Sequence, residues 1–251
     1  MKTSSIAQKP EPSRQQRQDA LHNVKSVKTV ALIGCDGSGK TTIAKLLLET
    51  CPLPIKYVYM GTSVESSNFS LPTARLIHRW KVYRHKRALQ KSGKTVPQKV
   101  TLHGVEHRVD RRGRVGAFVR LCNRVSEESF RQLVSWILQL RGYVVLYDRH
   151  FLFDACPTAS KSSHLRLTDR IHIWFLRRMY PRPGLAILLD APADVLYTRK
   201  QEVPLEYLES NRAELLAKSE FAKHFVRVDA TQPLDDVLET VRGLISEYCV
   251  K

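Results

Sequence analysis

Long apolar runs are missing from this chain of 251 residues. Even Leu133 to Leu140 is broken by Ser135 and Gln139, well short of the roughly 18 residues that a membrane-spanning helix requires. A soluble protein without a membrane partner is the expectation. Cysteine is scarce too: Cys35, Cys51, Cys122, Cys156 and Cys249 are odd in number, scattered and never spaced as a metal knuckle, which excludes a disulfide framework and a zinc site. Reduced thiols and a cytoplasmic location follow. No Asn-Lys-x-Asp sequence occurs, so a guanine-reading GTPase is excluded, and the histidines lack metal-ligand spacing.

Negative charge is in short supply, with 24 Asp and Glu against 41 Lys and Arg for a net charge of +17. The imbalance concentrates in residues 71–142, where 17 basic residues face 4 acidic ones. An anionic partner fits this charge, and a solvated basic surface is the alternative. Residues 1–28 are polar, basic and without the apolar stretch of a secretory signal; they read as a disordered tail, or as a nucleic-acid or membrane-surface arm.

Five short segments rich in aliphatic and β-branched residues stand out: Thr29 to Ile33, Ile55 to Met60, Tyr143 to Tyr147, Leu185 to Leu189 and Phe225 to Val228. Each reads as a buried strand. Helical spacing follows the first in Ile43, Leu46 and Leu47, the fourth in Val195, Leu196 and Arg199, and the last in Leu234, Val237, Leu238, Val241, Leu244 and Ile245. Strands alternating with helices predict an α/β domain over residues 29–251, built on a doubly wound five-stranded parallel sheet. Between strands two and three, residues 71–142 form a basic helical insert. Leu76, Trp80 and Tyr83 share one face of its first part; Val115, Phe118, Cys122 and Val125, then Phe130, Leu133, Val134 and Ile137, line its second. Trp80 and Trp136 are expected in the core, and Lys91 to Arg114, with Gly93, Pro97, Gly104 and Gly113, is expected to be a mobile loop.

Gly34-Cys35-Asp36-Gly37-Ser38-Gly39-Lys40-Thr41 matches G-x-x-x-x-G-K-[S/T] directly after a strand and before a helix. Glycines let backbone N–H groups converge on phosphate oxygens, and the helix N-terminus adds a positive dipole end. Lys40 is suited to the terminal phosphates of ATP and the Thr41 hydroxyl to Mg²⁺. The third strand runs Val144-Val145-Leu146-Tyr147-Asp148-Arg149, an apolar run closed by a carboxylate, which makes Asp148 the second candidate for Mg²⁺.

With Asp36-Gly37-Ser38-Gly39-Lys40-Thr41-Thr42, Asp148-Arg149-His150 and Leu188-Leu189-Asp190, the chain resembles the thymidylate kinase family and its wider thymidylate kinase-like group of P-loop kinases. The likeness spans about residues 28–247. It implies a P-loop NTPase fold and a nucleotide kinase that forms a homodimer, with ATP and Mg²⁺ bound at Gly34 to Thr42. It also implies that Asp36 faces the acceptor's sugar, Arg149 the acceptor phosphate, and Arg199 or Lys200 the transferring phosphoryl group. A lid is implied over residues 199–212, and a contact to the adenine side at Asp229 in Val228-Asp229-Ala230. Two stretches depart from the family pattern. Gly61 to Asn68 replaces an Arg-Glu-Pro-Gly-Gly acceptor loop, and Phe151 to Cys156 replaces an Ala-Tyr-Gln stretch. Arg120, Arg124 and Arg131 of the insert are the candidates for supplying acceptor-site cations in their place.

The expected activity is transfer of the ATP γ-phosphoryl to a small anionic acceptor, a dTMP-like nucleoside monophosphate, by positioning and charge stabilisation. A hydroxyl acceptor, a nucleoside or sugar, stands as the alternative, with Asp36 or Asp148 as the base. An ATP-dependent nucleic-acid binder is a third reading, carried only by the basic insert.

Overall fold

Strands covered on both faces read as unbroken apolar runs, and three segments of this chain have that form. β1 (Thr29–Ile33), β3 (Val144–Asp148) and β4 (Leu185–Asp190) are buried along nearly their whole length. β2 (Ile55–Tyr59) and β5 (His224–Asp229) flank them and are only partly buried. The computed structural model of the chain describes residues 27–61, 68–69, 71, 83, 87, 114–156 and 166–249. In it the five strands form one all-parallel sheet in the order β2-β3-β1-β4-β5. Register is continuous across its centre, with Leu32 beside Asp148 on one side and Ile187 on the other.

Seven helices accompany the sheet among the described residues: α1 (Lys40–Thr50), α2 (Arg114–Leu140), α3 (Phe151–Ala155), α4 (Leu167–Met179), α5 (Ala193–Arg199), α6 (Leu205–Leu216) and α7 (Leu234–Cys249). α1 packs on β1, β2 and β3 and touches α7; α2 lies on β2 and β3 and against α4. α7 buries Val237, Val241, Ile245 and Cys249 at i, i+4, i+8 and i+12, while Asp235 and Asp236 occupy its first turn, where carboxylates favour the helix dipole. Strand order reverses at β1. In parallel sheets that is where the connections diverge and the carboxyl ends of the central strands open a crevice.

The expected strands are all present, each within about a residue or two of its sequence-read ends. Three expectations are corrected or bounded. The basic tail is shorter than 28 residues: Val27 is in the core and the Lys28 carbonyl accepts from Val145 N, because β1 needs a lead-in beside β3. Trp136 is not core; it is half exposed, because α2 turns its polar side to the sheet. The segment from Leu76 to Trp80 and nearly all of Lys91 to Arg114 lie outside the described residues, as do residues 1–26.

Candidate active site

β1 runs into the glycine loop at Ile33. Gly34 has φ 149° and Gly37 φ 89°, and both are pinned by close backbone. A Cβ on Gly34 would stand 2.5 Å from the Leu189 carbonyl oxygen and 2.7 Å from Ser38 Oγ; one on Gly37 would stand 2.8 Å from the Leu196 carbonyl oxygen and 3.5 Å from Lys200 Cβ. The loop is thus threaded between the end of β4 and α5, where a side chain at either glycine has no room. Ser38 N donates to the Cys35 carbonyl (3.2 Å). Gly39 then enters α1 in the left-handed conformation without a side-chain cap, and the first turn carries no acidic residue. The first N–H groups of α1 therefore keep their donor capacity for an anion.

Lys40 is almost wholly buried. Its Nζ donates to the Cys35 carbonyl (2.6 Å) and to Ser38 Oγ (3.3 Å). Burial first, and then the neighbouring Arg149, push its ammonium down to about 8. A cation held so poorly solvated gains strongly from incoming phosphate oxygens.

Facing the loop, β3 delivers Asp148 and Arg149. Asp148 is buried and accepts a hydrogen bond from the Tyr57 hydroxyl at 2.9 Å; burial and the Asp148 charge push the Tyr57 phenol up. Arg149 occupies the left-handed region at φ 65°, a conformation sparsely populated by non-glycine residues and often found at functional sites. Its N–H continues the ladder to the Leu32 carbonyl (3.1 Å). Its guanidinium is thereby aimed at Asp36, where Nη2 lies 2.7 Å from Oδ1. Burial works to raise the Asp36 carboxyl, but Arg149 and Lys40 outweigh it and hold the group below its usual range. The structure thus brings Asp36, Lys40, Asp148 and Arg149 to one place, although 112 residues separate Asp36 from Asp148.

Beyond β4 the candidates divide. α5 ends at Arg199, whose Nη1 donates to the Ala230 carbonyl (2.9 Å) at the end of β5. Lys200 lies over Gly37 and pairs with Glu202 at 3.0 Å. The expected lid, residues 199–212, falls on the end of α5, this turn and the first part of α6. Asp229 accepts from Thr231 N (2.9 Å) and Thr231 Oγ1 (2.7 Å), bonds that hold its carboxyl below the ordinary value. It helps to line a cavity of about 370 Å³ with Asp190, Ala191, Pro192, Arg212, Arg227 and Thr231. Asp190, at the end of β4, is buried there between two arginines. Arg212 grips it in bidentate fashion (2.7 and 2.9 Å), and Arg227 Nη2 lies 2.6 Å from Oδ2.

Arg131 is corrected as an acceptor-site cation. It is 1% exposed and its guanidinium is fully engaged by Glu127 Oε1 (2.9 Å from Nη2) and by the carbonyls of Gly61 (2.6 Å) and Tyr59 (3.4 Å) from Nη1. It anchors the backbone at the end of β2, where the expected acceptor loop begins. Asn68 holds the returning end, donating to the Tyr57 carbonyl (2.7 Å) and accepting from Tyr59 N (3.1 Å); residues 62–67 lie outside the described residues. Arg124, two turns before Arg131 on the same helix, is exposed. Tyr57, Arg212 and Arg227 were not singled out from the sequence, and only the period-two alternation of Tyr57 and Tyr59 on β2 hinted at a shared face.

The donors fit Mg²⁺. The Thr41 hydroxyl and the Asp148 carboxylate are hard oxygen ligands, and Mg²⁺ takes one or two protein oxygens beside water and substrate phosphates. Among the described residues no three His, Cys, Asp or Glu side chains cluster as an all-protein cage. No described helix is long and apolar enough to cross a membrane. No protein-family model matches the chain, and no curated protein matches it.

Proposed function

We propose that this chain is an ATP-dependent phosphotransferase of the P-loop kinase type, a doubly wound, thymidylate kinase-like enzyme moving the γ-phosphoryl of ATP to a dTMP-like nucleoside monophosphate. One observation carries the reading. The glycine loop joins β1 to an uncapped α1, holds Lys40 buried, and faces Asp148 and Arg149 from the neighbouring strand. Backbone N–H groups of residues 37–41 would receive the β- and γ-phosphates. Lys40, now folded onto Cys35 and Ser38, would exchange those neutral acceptors for phosphate oxygens. Thr41 and Asp148 would hold Mg²⁺, which when bound neutralises charge on the phosphates. Lys200, whose Cβ lies beside Gly37, would turn from Glu202 to charge developing on the transferred group. Arg149 would leave Asp36 in part to bind the acceptor. The cavity between Asp190 and Thr231, at the end of β5, would take the nucleotide base, with Arg199 and Asp229 at its edge.

A hydroxyl acceptor remains the second reading, and Arg131 favours it. Of the three insert arginines expected to meet an acceptor phosphate, Arg131 is committed to Glu127 and two carbonyls, whereas Asp36 and Asp148 stand beside the loop as bases.

The test is ADP release from Mg-ATP against a panel of nucleoside monophosphates, nucleosides and sugars, with Lys40→Ala as the blank. Turnover with dTMP establishes the first reading. Turnover with nucleosides or sugars alone establishes the second, and no turnover above the blank across the panel rejects both.

A further inference from the structure

The short helix α3 brings a third carboxylate to the site. Its residues Phe151, Leu152 and Phe153 are all buried, which seats the turn against the core. Asp154 N donates to the His150 carbonyl (3.0 Å). The turn thereby folds Asp154 back towards the end of β3 and leaves it exposed. Loss of solvation nonetheless raises the Asp154 carboxyl above its ordinary value, against the pull of Arg149, Lys40 and Lys218, with Asp148 adding to the rise. A carboxylate that solvent reaches but solvates poorly stands in a cleft, and the charges facing it identify this one as the mouth of the glycine loop. Arg149 is shared there. Burial works against its charge, and Asp154, ahead of Asp36, upholds it. The guanidinium thus answers to two carboxylates in opposite conditions, Asp36 held below its usual range and Asp154 above it. Environments that part a pair of carboxyls in this way suit one to stay charged and the other to receive a proton.

We propose that Asp154 takes the proton of an uncharged hydroxyl acceptor, a nucleoside or a sugar, as the phosphoryl group is transferred. The inference rests on the phosphotransferase reading and favours the second of its two acceptors. The other carboxylates are engaged. Asp36 Oδ1 is bonded to Arg149 at 2.7 Å, and Asp148 Oδ2 accepts from the Tyr57 hydroxyl, leaving its other oxygen for Mg²⁺. In the transfer the acceptor oxygen bonds to the γ-phosphorus while the bond from that phosphorus to the β,γ-bridging oxygen breaks. ADP leaves with the electron pair, and the hydroxyl proton passes to the Asp154 carboxylate. Charge points to the same acceptor. Asp36, Asp148 and Asp154 set three negative charges at the mouth against two positive ones from Lys40 and Arg149, while Lys200 and Lys218 are each paired with a glutamate. A monophosphate dianion would enter against that excess, and a neutral hydroxyl compound does not.

The test is ADP release from Mg-ATP with thymidine, deoxycytidine, adenosine, ribose and glucose, and with dTMP beside them. At least one neutral acceptor should be turned over by the wild-type chain. For that acceptor Asp154→Ala should lower kcat at least about 100-fold, while KM for it stays within about threefold. Asp154 is exposed, so added formate can reach the space that the variant opens and should restore kcat by about tenfold or more. A merely structural carboxylate would not be replaced by a free one. Turnover of dTMP and of no neutral acceptor overturns the inference and leaves the phosphotransferase reading standing. So does an Asp154→Ala variant whose kcat falls less than about tenfold, or whose lost rate formate does not raise. No turnover of any acceptor overturns the inference together with the reading on which it rests.

Discussion

The Tyr57 hydroxyl donates to Asp148 Oδ2 at 2.9 Å, across the β2–β3 pairing. Asp148 is otherwise a buried carboxylate at the end of a strand, and this bond fixes which oxygen it offers to the loop. A hydrogen bond to a charged group contributes about 1.5–3 kcal/mol. Tyr57→Phe should therefore lower kcat about tenfold, raise the Mg²⁺ concentration needed for half-maximal rate, and leave the fold intact. Rate against Mg²⁺ concentration is the measurement, and an unchanged Mg²⁺ response at normal kcat would remove Tyr57 from the site.

Gly34 and Gly39 share a left-handed φ but differ in surroundings. A Cβ on Gly34 meets backbone of β4, whereas one on Gly39 meets nothing within 4 Å. Gly39→Ala should cost only the conformational penalty, about 1 kcal/mol. Gly34→Ala adds a clash with the Leu189 carbonyl that no rotamer relieves, so a loss of about 3 kcal/mol is expected, together with ATP affinity at least tenfold lower. Urea unfolding and nucleotide titration of the two variants compare them directly; equal costs would mean that the loop does not lean on β4.

The strands and the loop were legible in the sequence because each depends on local pattern. Buried parallel strands are apolar throughout, and the turn after β1 carries glycines at positive φ at fixed offsets. What depends on pairing was hidden. Tyr57 and Asp148 are 91 residues apart, and Asp190 acquires Arg212 and Arg227 only once β5 and α6 flank β4. α2 was misread for a further reason. Apolar spacing identifies a stripe but not what the stripe faces, and here three hydrogen-bonded polar groups outcompete it for the interior. The Glu127–Arg131 pair at i, i+4 looks like a solvated surface pair until β2 supplies the carbonyls that receive Arg131.

That pair carries its own prediction. Breaking one side of a buried ion pair leaves a charge without compensation, at about 3–5 kcal/mol. Arg131→Met should lose that much in urea unfolding and loosen the Tyr59 and Gly61 carbonyls at the end of β2. Adding Glu127→Gln should restore stability by about 1–3 kcal/mol, even though it removes a second native group. Additive losses in the double variant would show that the charges are not coupled.

His150 makes the stability of the fold depend on acid. It follows Arg149, caps α3 by accepting from Leu152 N through Nδ1 (3.3 Å), and is ringed by Tyr147, Phe153 and Tyr180. Its Nε2 has no hydrogen-bond partner, and burial pushes the imidazole down to about 3 from an ordinary 6.5. Between those values the unfolded chain binds the proton and the folded chain does not. Stability contributed by neutral His150 is therefore complete above pH 6.5 and declines as pH falls, by up to about 1.4 kcal/mol per pH unit. His150→Asn keeps an acceptor for Leu152 N but cannot titrate. It should be less stable than wild type at pH 7.5, through the space it leaves among the rings, and should lose stability less steeply towards pH 4.5. Urea unfolding at half-unit pH steps would bring the two curves together in acid; curves that stay parallel would mean that His150 gains its proton without unfolding the chain.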